Sequence, residues 1–456
     1  MNVYIKLIDR PTGQVVRPMD SRFSDRWPKI HDISNNEWSH YSRFVDDYYL
    51  FSGSYSANSG QRYEIYHPRY PKQEIPISIF QSTRFNGRSG NMNHHIFRNR
   101  IEFQLIPHHL ISVNGRDRFI FGANLAWLDG KYGHDLKRPL SEESRQNITE
   151  YFNKMSNLFN CHIVRVWVFE ACEGLTFNSG RVEMESEMEN SIRFIQRIAH
   201  QQNLSIYWCL LSSHPQHNRE AFQRDIEIIR SASSPQDCSF LNSALHYFID
   251  ALRQQPNVNN FPNVFAIDVM NEPEKYISEG GLTWNDIQNF IGASCNAIKN
   301  YSGNKLLVSC GSTGGGWVND SLENTIVKYK ELGLDFYDYH KYDNAGLEKT
   351  FDQLNLDKPC IIGEFGQDKN SSWNDDLQVR VANNFIEQSW HLGYAGCLIW
   401  HYNFKNFKKF YYHHHYSKSD TLLKNRASLI YDNGSPRPVR ETMEQFNNDY
   451  YCYTSI

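Results

Sequence analysis

No stretch of the 456-residue chain is apolar for long enough to cross a membrane. Its first residues, MNVYIKLIDRPTGQ, lack the basic and then apolar run of a secretory signal. Charge of one sign is also scarce: 47 Lys and Arg against 51 Asp and Glu leave a net −4. That balance argues against nucleic acid or an anionic membrane as the main partner. The nine cysteines show no metal-type CxxC spacing, so no metal or cofactor is expected. Cys161, Cys209, Cys310, Cys360 and Cys397 sit in or beside apolar runs and read as buried free thiols. Localisation stays open on this reading, with such thiols favouring a reducing, cytoplasmic setting. A glycine-rich phosphate turn is missing after the first apolar strand of the readable region, which counts against an open doubly wound sheet. Gly314-Gly315-Gly316 lacks the Lys and Ser/Thr of a phosphate loop and reads as a flexible loop.

What is present is ordinary for a soluble globular protein, 40% hydrophobic and 21% charged, apart from an aromatic content of 14%. Most of those rings are expected in the core, with a few tryptophans left as sugar-stacking platforms. Residues 1–110 alternate short extended runs (Tyr48–Phe51, Tyr63–Tyr66, Ile75–Phe80) with Gly, Ser, Asn and Pro clusters. They predict a β-rich accessory region, either a small carbohydrate-binding sandwich or a structural flap.

From residue 111 onward the text changes. Eight short apolar strands are expected at 118–124, 162–169, 204–211, 265–270, 305–310, 334–339, 359–363 and 396–400. Helical spacing fills most of the gaps: 141–160, 184–202, two stretches in 215–254, then 284–300, 321–331, a weak 347–354, 376–392 and a closing 439–448. Between the second strand and its helix a polar loop is expected to run to about Met184. Strands alternating with helices in this way predict a (β/α)8 TIM barrel over 111–456.

The strand ends carry the chemistry. Phe265 to Glu274 reads FAIDVMNEPE: an apolar strand halted by Pro273, which restricts Glu272 to an extended backbone. PCIIGEFG ends a second apolar strand on Glu364. Two carboxylates at strand tips are the minimum set for glycoside hydrolysis. Around them, Arg165 and Trp167 share one side of strand two, strand three ends at His214, and strand four delivers Asn271 with Glu272. Strand six ends in Asp338-Tyr339-His340-Lys341-Tyr342 and strand eight in Trp400. A lone His or Glu at such a place is usually structural; six of eight strands ending this way is harder to dismiss. His413-His414-His415 lacks the spacing of a fixed metal site, and Glu170 and Glu173 read as solvated loop residues.

These residues resemble glycoside hydrolase clan A, and within it family five, which includes cellulases and β-mannanases. Asn271-Glu272-Pro273 resembles that family's acid/base motif, Gly363-Glu364-Phe365-Gly366 its nucleophile motif, and His340-Lys341-Tyr342 its His-x-Tyr. Arg165, His214 and Trp400 fall where the family has Arg, His and Trp, and Arg165–Phe169 looks more like mannanases than cellulases. The resemblance covers about 114–403 and implies a retaining endo-β-1,4-glycanase acting on an oligo- or polysaccharide as a monomer. It gives Glu272 as acid/base and Glu364 as nucleophile.

On this reading burial and the Glu364 charge should raise the pKa of Glu272, while Arg165 keeps Glu364 ionised and Tyr342 orients it. Asn271 is expected on the sugar 2-hydroxyl and Trp400 beneath the sugar at the cleavage point. Trp127, Trp167 and Trp317 are candidates for neighbouring subsites, with core packing equally open for each. Asn124, ending strand one, is a further cleft candidate. Two alternatives remain: a non-catalytic carbohydrate-binding barrel, which has no need of paired carboxylates, and a transglycosylase using the same residues.

Overall fold

The computed structural model describes residues 2–9, 29–33, 37–45, 48–52, 62–67, 70–75, 100–105, 109–113, 116–128, 136, 139–253, 260–367, 374–402, 428–431 and 433–449. His413-His414-His415 and most of the extended run 75–80 lie outside them. The chain divides into two compact units. One comprises Met1–His109, Trp390–Gly393 and Asp449–Ile456; the other comprises Leu110–Ser389 and Tyr394–Asn448.

The first unit holds a seven-stranded sheet in the order Tyr70–Ile75, Tyr63–His67, Lys29–Asp32, Glu37–Val45, Tyr48–Ser52, Asn2–Asp9, Arg100–Leu105. Neighbours run antiparallel except the last pair, which is parallel. Buried side chains recur at every second residue (Ile5 and Leu7, Tyr49 and Phe51, Tyr63 and Ile65), so each of these strands turns one face to a core.

The second unit is a closed barrel of eight parallel strands. They are β1 (Ile120–Asn124), β2 (Ile163–Trp167), β3 (Ser205–Leu211), β4 (Val264–Asn271), β5 (Leu307–Ser312), β6 (Tyr337–Tyr342), β7 (Cys360–Gly366) and β8 (Gly396–Ile399). The barrel closes where β8 pairs with β1. Residues of both parities are buried along β1, β2, β7 and β8, as strands covered on both faces must be, which is why they read as continuous apolar runs. At Gly122 the strands approach so closely that a Cβ would lie 1.8 Å from the Ile163 carbonyl oxygen.

Local chemistry sets the helix ends. Thr283 and Asp286 form a reciprocal capping box at the start of Trp284–Ser302, and Gly303 ends that helix in the left-handed region at φ 61°. Ser141 and Asn218 cap Glu142–Asn157 and Arg219–Ser231 through their side chains. Helix Asp375–His391 buries Val381, Phe385 and Ile386.

Five expectations are corrected. The sixth strand starts three residues late, at Tyr337, because Asp335 is held by side-chain bonds from Lys299 (2.5 Å) and the Val308 N–H (2.7 Å). His340 and Tyr342 therefore belong to the strand. The polar loop before Met184 contains a hairpin, Leu175–Asn178 paired with Arg181–Met184. The stretch at 347–354 shortens to a single 3-10 turn, Asp352–Leu354, and 321–331 to a helical turn followed by another such turn. Glu170 and Glu173 are buried rather than solvated: Glu170 accepts from Trp127 Nε1 at 2.7 Å and Glu173 from the Leu136 N–H. Eight cysteines among the described residues are free thiols, seven of them buried.

Candidate active site

The site is built upward from Arg165, whose side chain is fully buried in the barrel. Its Nη1 donates to Glu364 Oε1 at 2.6 Å and to Asn124 Oδ1 at 3.1 Å. Its Nη2 donates to Asp268 Oδ2 at 2.6 Å and to Asn271 Oδ1 at 2.8 Å, while Nε reaches the same Asp268 oxygen at 3.1 Å. Burial disfavours the guanidinium charge, but the Asp268 and Glu364 carboxylates outweigh it and hold the group firmly protonated. One planar donor fork thus ties together β1, β2, β4 and β7. Asp268 is itself fixed by the Met270 and Gly311 N–H groups at 3.2 and 3.0 Å.

Glu364 is held from both sides. Arg165 takes Oε1, and the Tyr342 hydroxyl donates to Oε2 at 2.7 Å. Burial and the Glu364 charge push the Tyr342 phenol well above its usual range, so it stays a donor. Tyr342→Phe removes one hydrogen bond to a charged oxygen, worth about 1.5–3 kcal/mol. The expected result is a fall in kcat of about ten- to hundredfold with KM little changed; an unchanged kcat in steady-state assays would place the hydroxyl outside the reaction.

Glu272 departs from expectation twice. Its φ is +51°, in the left-handed region rather than extended, because its N–H turns to the Gly311 carbonyl (2.8 Å) as the chain leaves β4 for the short helix Glu274–Ser278. Such strain in a non-glycine residue persists where surrounding contacts over-determine it. Here Glu274, fully buried, anchors the helix by accepting from Tyr329 at 2.6 Å and from the Ser312 hydroxyl.

The second departure concerns the proton. Burial pushes the Glu272 carboxyl up as expected, but His340 Nδ1 lies 3.1 Å from Oε1 and Trp317 Nε1 donates to Oε2 at 3.0 Å. With the His340 charge and Lys275 added, the balance falls the other way, to about 2. His340 moves oppositely: burial lowers it, yet Glu364, Glu272 and Asp338 raise it to about 9. The two opposing shifts place the proton of the Glu272–His340 pair on the imidazole.

The remaining expected residues fall into two groups. Trp317 is half-buried with its ring edge-on to His214 at 5.7 Å, which links His214 to Glu272 through the indole. Trp400 is half-buried and packs on Trp127 (5.8 Å) and Trp167 (5.7 Å), which are themselves buried and 5.5 Å apart. Trp127 and Trp167 thus form the packed support behind Trp400 rather than open stacking faces. Asn271 has its amide oxygen committed to Arg165, which leaves the amide NH2 as the group it can offer a ligand. A cleft of about 1000 Å³ opens beside Glu272, lined among others by Trp317, Tyr339, His340, Tyr342 and Leu347.

One ligand atom from each of Glu272, His340 and Glu364 lies within 4.8 Å of the others. That is close enough to hold a cation, but Arg165 already neutralises Glu364 and His340 Nδ1 is turned to Glu272. The donor set is arranged around a proton.

No protein-family model matches the chain. Over 332 residues it is 20% identical to a mannan endo-1,4-beta-mannosidase of Mytilus edulis, a span covering 64% of this chain and 85% of that protein. The chain resembles a β-mannanase. Among solved structures it is similar to a β-1,4-mannanase from the sea hare Aplysia kurodai (20% identity, TM-score 0.50, 66% of this chain and 93% of that one). It is also similar to an exo-β-1,4-mannosidase from Opitutaceae bacterium strain TAV5 (14% identity, TM-score 0.54, 76% of this chain and 62% of that one). At these identities the structural likeness speaks for the barrel fold, and it agrees with the resemblance drawn from the strand-end motifs.

Asp268 and Glu274 lie outside the strand-end residues expected to carry the chemistry. Asp268 places the one charge in β4, a run otherwise apolar up to Met270.

Proposed function

We propose that the chain is a retaining glycoside hydrolase that cleaves β-linked glycans of the mannan type. The observation that carries this reading is the closeness of the two glutamates, with an oxygen of Glu272 and an oxygen of Glu364 within 4.8 Å across the barrel mouth. Carboxyl groups in retaining enzymes are about 5–5.5 Å apart, whereas inverting enzymes leave about 6.5–9.5 Å for a water. In the first half-reaction the Glu364 carboxylate, aimed by Arg165 at 2.6 Å, attacks the anomeric carbon. A C–O bond to Glu364 forms, the glycosidic C–O bond breaks, and Glu272 passes to the departing oxygen the proton it shares with His340. In the second, water attacks the same carbon, gives its proton to Glu272, and frees Glu364. The Asn271 amide nitrogen is placed to donate to the sugar 2-hydroxyl, and Trp400 to lie under the ring. The mannan preference is supported by the sequence likeness, over 332 residues, to a mannan endo-1,4-beta-mannosidase.

The test is a panel of fluoro-sugar glycosides (gluco, manno and galacto) followed by intact mass and peptide mapping. A manno adduct on Glu364 is expected. Absence of any adduct, with tryptophan fluorescence still reporting oligosaccharide binding, would favour a carbohydrate-binding barrel instead. Glu272→Gln should lower kcat on natural glycans by about 10²–10⁴-fold. It should spare substrates whose leaving group needs no protonation, such as a dinitrophenyl glycoside, at the glycosylation step. Equal loss on both kinds of substrate, measured by pre-steady-state release, would remove Glu272 from the acid role.

A further inference from the structure

Beneath the two glutamates lies a third carboxylate that the reaction above does not use. Asp338, on β6 two residues before His340, is fully buried. Its Oδ2 accepts from the Tyr207 hydroxyl at 2.8 Å, while Oδ1 has no hydrogen-bond partner among the described residues. His340 Nε2 is likewise buried without one, and the two atoms face each other at 3.7 Å. Glycines on both flanking strands leave room for this pair. A Cβ on Gly363 would sit 1.9 Å from Asp338 Oδ1, and one on Gly311 would sit 2.8 Å from His340 Nε2.

We propose that Asp338 is a positioning residue that keeps the catalytic proton on the His340–Glu272 pair. It does so by placing a negative charge on the far side of the imidazole, opposite Glu272. The inference rests on the retaining-hydrolase reading for its consequence in turnover, though not for the coupling itself. The other groups facing Asp338 and His340 are Arg165 from β2, Tyr207 from β3, Asp268 and Glu272 from β4, and Glu364 from β7. Arg165 is already matched by Asp268 and Glu364. Asp338 is thus the one carboxylate of the group set against Nε2, where it favours the imidazolium and leaves Nδ1–H pointing at Glu272. Burial pushes the Asp338 carboxyl up to about 6, against the pull of His340 and Arg165, so its charge is in place from neutral pH upward.

The sign of the test follows. Asp338→Asn keeps the shape and removes the charge, so the imidazolium loses stabilisation and releases its proton at lower pH. With the full chain carrying labelled histidine, the His340 ring resonance should titrate about one unit lower in Asp338→Asn than in wild type. The alkaline limb of kcat on a glycan should move down by the same amount, with KM nearly unchanged. Asp338→Ser, which removes the same charge with a smaller side chain, should shift both readouts in the same direction. It also serves if Asp338→Asn does not fold. An unmoved His340 midpoint in either folded variant would overturn the proposal, as would a kcat loss equal at every pH with no movement of the limb. Because the resonance needs no turnover, a wild-type chain inert on every glycan would sink the hydrolase reading and still leave the coupling to be scored.

Discussion

Glu364→Ala is expected to cut kcat on β-mannan by about 10⁴–10⁶-fold, the scale of loss seen when a covalent nucleophile is removed. The reasoning is geometric. No other carboxylate of the cluster stands free to take its place: Asp268 is fully buried and bound by Arg165 and two backbone N–H groups, and Asp338 lies behind His340. The variant should still fold, since Arg165 keeps the Asp268 pairing at 2.6 Å and its bonds to Asn124 and Asn271. The truncated side chain leaves a space beside the anomeric carbon that a small anion can enter. Added azide should therefore restore turnover of an activated β-glycoside and give the α-configured glycosyl azide. The inverted product is what separates a lost nucleophile from a lost fold. Activity within tenfold of wild type, or azide rescue with retained configuration, would require a different nucleophile.

The barrel and its two glutamates were legible because each depends on local text. Runs such as Cys360–Gly366 are apolar on both faces and end on a polar residue, and Pro273 stops β4 beside Glu272 wherever the strand is placed. What escaped notice depends on closure. The link from His340 to Glu272 joins residues 68 apart in the chain, and it reverses the direction in which burial alone moves the acid. No local pattern announces that pairing. The left-handed turn at Glu272 follows from its bond to Gly311, across to β5, and a preceding-proline rule that speaks only of neighbours misses it. The tryptophans divide for a similar reason. Trp317 lines the cleft and Trp400 stays half-buried at the edge of its cluster, whereas Trp127 and Trp167 are covered by ring packing that exists only when β1, β2 and β8 meet. The hairpin at 175–184 is different, because its signal was present. Two alternating four-residue runs flank Ser179-Gly180, both with positive φ, the pattern of a two-residue turn.

Arg165→Met is expected to do the greatest damage to stability. The side chain is fully buried, and truncating it leaves the buried Asp268 and Glu364 carboxyls without the guanidinium that meets each at 2.6 Å. Breaking a buried pair from one side costs about 3–5 kcal/mol, because the surviving charge stays desolvated. Two carboxylates rather than one are stranded here, so urea unfolding should show a midpoint drop at or beyond the upper part of that range. Adding Asp268→Asn to Arg165→Met removes one stranded charge and should recover part of the loss, a coupling of about 0.5–3 kcal/mol in the double-mutant cycle. Activity should not return with stability, since Glu364 would still lack the donor at 2.6 Å that aims it. Recovery of stability together with kcat would mean that Arg165 acts only as ballast for Asp268. Recovery of stability alone separates its two tasks, holding four strands together and aiming Glu364.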